Sequence, residues 1–165
     1  MADQAISALT AYTPPIDTDV FVVVDVSTGE TKKITWANLR GLSTIFKNGT
    51  TTYDLATASG NQTIAHGVGK IPKYVRITGL TYITSGGSQS YGVYNGTTTS
   101  CVYKFFQGSN SVGGNDNTNI IRIYETYNND YQVATVTVDA TNITLAWGKT
   151  GTPTQTAYIM WEAVG

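Results

Sequence analysis

The chain has 165 residues, with ten basic and eleven acidic side chains, a net charge of −1 and a single cysteine. Its charged fraction, 13%, is about half that of an ordinary globular domain, and no block of like charge provides the clustered basic face that binding nucleic acid requires. The lone Cys101 excludes an internal disulfide, and no run approaches the roughly eighteen apolar residues of a membrane helix.

Met1-Ala2-Asp3-Gln4 lacks the basic start and apolar stretch of a secretion signal, so the expected product is made in the cytoplasm. Residues 1–18 include Tyr12-Thr13-Pro14-Pro15, extended because each proline pushes its predecessor out of helical space. The β-branched run Val20-Phe21-Val22-Val23-Val24-Asp25-Val26 predicts a strand, and Ser27-Thr28-Gly29-Glu30 a turn. Thr31-Lys32-Lys33-Ile34 returns as the second strand of a hairpin. Thr35 then caps a short helix from Trp36 to about Leu42, with Leu39 on the same face as Trp36. A hairpin and two helical turns bury too little to be stable alone, so this segment must dock on something. Its candidate contact residues are Val20, Phe21, Val22, Val24, Ile34, Trp36 and Leu39.

Asn48-Gly49-Thr50-Thr51-Thr52 reads as a linker, which divides the chain into an attachment and oligomerisation segment, 1–48, and a second domain, 49–165. Predicted strands in the second domain are Gln62–His66, Lys73–Ile83, Tyr91–Tyr94, Ser100–Phe106, Asn119–Tyr127, Tyr131–Val138, Asn142–Trp147 and Ala157–Val164. Alternation places Val75 and Ile77, Ile121 and Ile123, Ile143-Leu145-Trp147 and Ile159-Trp161-Ala163 on core-facing sides. Turn signals separate them: Ser85–Ser88, Asn95-Gly96, Gly108–Asn117, Asn128–Asp130 and Gly148–Pro153. The expected fold class is all-β: an antiparallel β-sandwich or jelly-roll-like C-terminal domain behind a small N-terminal hairpin and short helix.

Little in the sequence carries reaction chemistry. His66, the only histidine, has no nucleophile motif to serve and reads as a hydrogen-bonded structural residue at a strand end. Gly67-Val68-Gly69-Lys70 lacks the third glycine and following helix of a phosphate cradle and reads as a tight turn before Pro72. Asn115-Asp116-Asn117 holds one carboxylate, too few for a calcium site, and reads as a polar loop tip. From residue 55 onward the acids are Asp116, Glu125, Asp130, Asp139 and Glu162, with no pairing suited to glycoside hydrolysis. We therefore expect no catalytic residues, metal or cofactor. The tyrosines stand out. Tyr91, Tyr94, Tyr103, Tyr124, Tyr127 and Tyr131 offer rigid contact area with a polar end, suited to a protein surface or a sugar ring.

Ile6-Ser7-Ala8-Leu9-Thr10, Pro14-Pro15, the strand from Asp19 to Asp25, Thr31-Lys32-Lys33-Ile34-Thr35 and Trp36-Ala37-Asn38-Leu39 resemble, in that order, an N-terminal module of phage structural proteins, chiefly fibre-like ones. Residues 64–75, with His66-Gly67-Val68-Gly69 and Pro72, resemble the start of phage fibre-tip β-sandwich modules, and the outline is also similar to H-type lectin sandwiches. The resemblance implies a virion surface protein, either a capsid decoration or a short head fibre. It would be homotrimeric, made in the host cytoplasm and held by phage capsid or tail proteins through residues 1–48. The alternative it implies is a receptor-binding tail-fibre tip or lectin-like module that meets a host surface glycan. Neither nucleic acid nor membrane is an expected partner.

Overall fold

The structure, a computed structural model, describes residues 20–25, 30–35, 38, 45–83, 86–127 and 129–165. The chain divides into two units, Met1–Thr44 and Ile45–Gly165, a few residues ahead of the boundary expected at 48/49. In the first unit β1 (Val20–Asp25) pairs antiparallel with β2 (Glu30–Thr35), as the hairpin pattern predicts. The Asn38 amide donates to the Thr35 hydroxyl at 3.2 Å, the bond an N-cap threonine makes. The rest of the predicted helix lies outside the described residues.

The second unit is all-β among its described residues. Its strands are β3 (Phe46–Asp54), β4 (Gly60–Ala65), β5 (Tyr74–Ile83), β6 (Gly86–Tyr94), β7 (Thr99–Gln107), β8 (Asn110–Asp116), β9 (Ile121–Tyr124), β10 (Tyr131–Val138), β11 (Asn142–Thr150) and β12 (Thr156–Val164). They form two antiparallel sheets, one ordered β4-β11-β10-β9 and the other β3-β12-β5-β6-β7-β8, in a sandwich-like arrangement.

Three segments depart from the sequence reading. Residues 48–52 are the middle of β3, where Phe46 to Asp54 pair along the whole of β12. The Ile45 and Gly165 backbones also bond each other reciprocally at 3.0 Å. Residues 110–116, expected within a turn, form the edge strand β8 against β7. Gly86-Gly87-Ser88, also expected in a turn, begin β6. All three are rich in Thr, Asn, Ser or Gly, so they carry no apolar period, and the neighbouring strand's hydrogen bonds hold them instead.

The alternating apolar residues meet where expected. Val75, Ile77, Ile121, Ile123, Ile143, Leu145, Ile159 and Ala163 are fully or almost fully buried in one core, which Trp147 and Trp161 join. Trp147 stacks on Tyr53, with centroids 4.2 Å apart, and its ring N–H donates to Gln62. Buried Gln132 on β10 donates to the carbonyls of Leu55 and Thr57, tying the turn after β3 to the opposite sheet.

At β9 the two sheets do not simply stack. The amides of Arg122 and Tyr124 on this edge strand donate to the hydroxyls of Ser90 and Ser88 on β6, both at 3.0 Å. Serine side chains thus occupy the hydrogen-bonding positions that another strand would fill. The arrangement requires close approach, and Gly92 on β6 permits it: a Cβ there would lie 1.7 Å from the Ile120 carbonyl oxygen.

Candidate functional site

Where β9 meets the large sheet, it carries a second, polar-aromatic cluster on its side away from the main core. Tyr124 lies 5.7 Å from Tyr103, 6.0 Å from Phe105 and 4.9 Å from Tyr131, centroid to centroid. The Arg122 guanidinium stands 5.2 Å from the centroids of both Tyr103 and Tyr131. Its Nη2 and Nε bond Asp116 Oδ2 at 2.7 and 3.2 Å. Asp116 also accepts from the amides of Thr118 and Asn119 and from the Asn119 side chain. Burial pushes the Asp116 carboxyl up, but the bonds from Asn119, Arg122 and the turn amides outweigh it and hold the group well below the usual carboxylate range. A guanidinium between aromatic faces with its charge matched is a stable structural plug.

Three of the six singled-out tyrosines, Tyr103, Tyr124 and Tyr131, therefore belong to this cluster, and Tyr124 is buried. Tyr94 packs against the main core and donates its hydroxyl to the Gly96 carbonyl. Tyr127 is exposed in the β9–β10 turn, and Tyr91 is exposed on the outer face of the large sheet. The structure does not bring the six into one surface.

The predicted attachment residues Val20, Phe21, Val22 and Val24 lie on β1 and Ile34 on β2, with Phe21 opposite Ile34 and Val22 opposite Lys33. Trp36 and Leu39 lie outside the described residues.

The polar residues weighed for chemistry serve the turns. His66 is buried. Its Nδ1 accepts from the Val68 amide and its Nε2 reaches the Asp139 carbonyl, both at 3.0 Å, so Nε2 carries the proton. We expect His66→Ala to cost about 3 kcal/mol, read as a lower urea midpoint, because it opens a cavity and orphans the buried Val68 amide. The positive φ angles of Gly67 and Gly69, 63° and 75°, make the turn that follows.

Glu125 accepts from the Thr154 and Gln155 amides, Asp130 from Thr152, Asp139 from Thr141 and Asn142, and Glu162 pairs with Arg76. Cys101 is buried, which pushes its thiol up and away from thiolate chemistry. Among the described residues no three of His, Cys, Asp or Glu gather as a metal site.

The largest unexplained surface is the outer face of the six-stranded sheet. Its rows run Thr52–Tyr158–Leu80–Gln89–Lys104–Gly113 and Thr50–Met160–Thr78–Tyr91–Val102–Asn115. Sequence reasoning tracked the core-facing phase of these strands and passed over the other. The signal was present in β12, where Tyr158 and Met160 interleave with Ile159 and Trp161, making both phases apolar.

The class defined by this architecture is an all-β protein of two antiparallel sheets preceded by a separate hairpin-bearing unit. No family model, curated protein or solved structure matches the chain.

Proposed function

We propose that this chain is a structural, non-catalytic surface protein of a bacteriophage particle, a capsid decoration or short head fibre that assembles as a homotrimer. Residues of the first unit attach it to capsid or tail proteins, and the sandwich is displayed outward. The protein is made in the host cytoplasm and carried in the virion, with no cofactor.

The observation that carries this reading is the division of the chain. The described strands of the first unit form one two-stranded hairpin, too small to stand alone, ahead of a sandwich with its own closed core. A unit of that kind gains stability by docking, and the ordered resemblance of residues 6–39 to phage attachment modules supplies the context. Two finer features of architecture go with the reading. A short helix after Thr35 is supported by the Asn38–Thr35 bond. A jelly-roll-like path is supported by the order β4-β11-β10-β9, in which an early strand closes a late run of three as in a Greek key.

Particles assembled with full-length Val22→Asp/Val24→Asp protein test it, with copy number per particle read by mass spectrometry. We expect occupancy to fall to background while the soluble protein keeps its sandwich; unchanged occupancy rejects attachment through the hairpin. The copy number of the unaltered protein separates a decoration, present many times, from a tail component, present in few copies.

One feature favours a lectin-like receptor-binding tip instead. Tyr91 stands in a groove of about 360 Å³ beside Thr78, Gln89 and Lys104, a ring face next to hydrogen-bonding groups. Binding to a glycan array that disappears in Tyr91→Ala protein would move the assignment to that reading.

A further inference from the structure

Of the nine large hydrophobic side chains that stand exposed among the described residues, seven lie on one face. Phe46, Tyr82, Tyr91, Val102, Phe106, Tyr158 and Met160 all project from the outer side of the six-stranded sheet. The outer side of the four-stranded sheet is different, presenting small and hydroxyl residues such as Thr63, Thr135, Thr137, Thr144 and Ala146. Strands apolar in both phases occur where both faces are covered. In β12 one phase, Ile159 and Trp161, is buried in the core, while the other, Tyr158 and Met160, is 61% and 45% exposed. The pattern is that of a strand with a second cover.

The chemistry of the face indicates what that cover is. Its charged side chains among the described residues are Asp54, Arg76, Lys104 and Glu162, which sum to zero, and Arg76 and Glu162 pair with each other. A charged partner would find little to recognise, whereas an identical face meets no net repulsion. The relief also suits a copy of itself. Tyr158 projects between hollows of about 310 and 430 Å³, the first shared with Tyr82, Leu80 and Gly87 and the second running along Thr50 to Thr52 and Met160. Six strands at the usual spacing give a footprint of roughly 800 Å², about what each partner buries in a standard stable interface.

We infer that the outer face of the six-stranded sheet is the surface through which copies of this chain associate. The trimeric stoichiometry rests on the reading above; the face itself does not depend on where the assembly sits.

Light scattering on the full-length protein at micromolar concentration tests it. The unaltered chain is expected at a multiple of its 17.7 kDa mass. Val102→Lys/Tyr158→Lys protein, altered only at exposed positions, is expected at single-chain mass with the circular-dichroism spectrum of the unaltered chain, and with a melting temperature lowered only by the loss of association. Thr135→Lys/Ala146→Lys protein, altered on the other sheet, should keep the assembled mass. A single-chain mass for the unaltered protein, or an assembly indifferent to the two lysines on the large sheet, overturns the inference.

Should the lysine variant not fold, nitration of the unaltered protein decides. Tyr82 and Tyr158 are expected to react several-fold more slowly than Tyr127, which lies off the face; equal rates overturn the inference. Protection of Tyr82 and Tyr158 at single-chain mass also overturns it and makes residues 1–44 the cover. A dimer lost with the two lysines upholds the face and rejects the trimer. Loss or retention of particle occupancy in the hairpin variants bears on attachment alone.

Discussion

Gly92→Ala protein is expected to lose about 4 kcal/mol or more of stability, a large share of the roughly 5–15 kcal/mol that holds a domain together. The added Cβ would sit 1.7 Å from the carbonyl oxygen of Ile120 and 2.7 Å from its carbonyl carbon, both backbone atoms. Neither side can yield cheaply. Gly92 is held between Ile77 of β5 and Cys101 of β7 in the sheet ladder. Ile120 is fully buried and its amide bonds the Ala134 carbonyl at 2.8 Å. Relief requires β9 to lift away from β6, which breaks the Ser88 and Ser90 bonds and unpacks Ile121 and Ile123. Gly60→Ala is the control: its Cβ would meet nothing closer than 3.9 Å, so its effect should stay within about 1 kcal/mol. Urea unfolding followed by tryptophan fluorescence compares the two. A Gly92→Ala midpoint as high as that of Gly60→Ala means β9 does not ride against β6 in this way.

The second large effect concerns Asp116. Asp116→Asn keeps the shape but removes the charge, leaving Arg122 unmatched between Tyr103 and Tyr131. The Asp116 and Arg122 side chains are 10% and 21% exposed, so we expect a cost of about 2–3 kcal/mol near neutral pH, below the range for fully buried pairs. Because the folded carboxyl is held below its unfolded value, its contribution is complete above about pH 4 and disappears as the pH falls through the folded value. The stability gap between the unaltered and variant proteins should therefore be widest at pH 7 and narrow below about pH 3. Asp139 is held at about 2 by the Thr141 amide and hydroxyl and the Asn142 amide, and it steepens the acid limb of both proteins alike. The difference between them isolates Asp116. Urea titrations at several pH values read it, and a gap that does not change with pH rejects the charge pairing.

Both effects originate in the way β9 enters the large sheet, a feature with no counterpart in local sequence pattern. The contrast between strands that were legible and those that were not has the same origin. In β5, β11 and β12 the period of two is written in Val, Ile, Leu and Trp, because each of these strands buries its own side chains. The edges β3 and β8 bury little, so Thr50 to Thr52 and Gly113-Gly114 read as loop although they are paired along their length. Of the six tyrosines, sequence could find the residues but not their company: Tyr103, Tyr124 and Tyr131 meet around Arg122 from three strands in two sheets.

What the sequence by itself determined is therefore the all-β class, the core-facing phase of the buried strands and the separateness of the first segment. These depend on side-chain alternation and on the small size of a lone hairpin, which are properties of neighbours along the chain. Only the tertiary structure decided that Asp116 and Arg122 are partners, that the apolar phase of Tyr158 and Met160 lies uncovered on the sandwich, and that Gly92 must be glycine. Each of those depends on which strand lies beside which, and backbone pairing between distant segments leaves no period in the residues that make it.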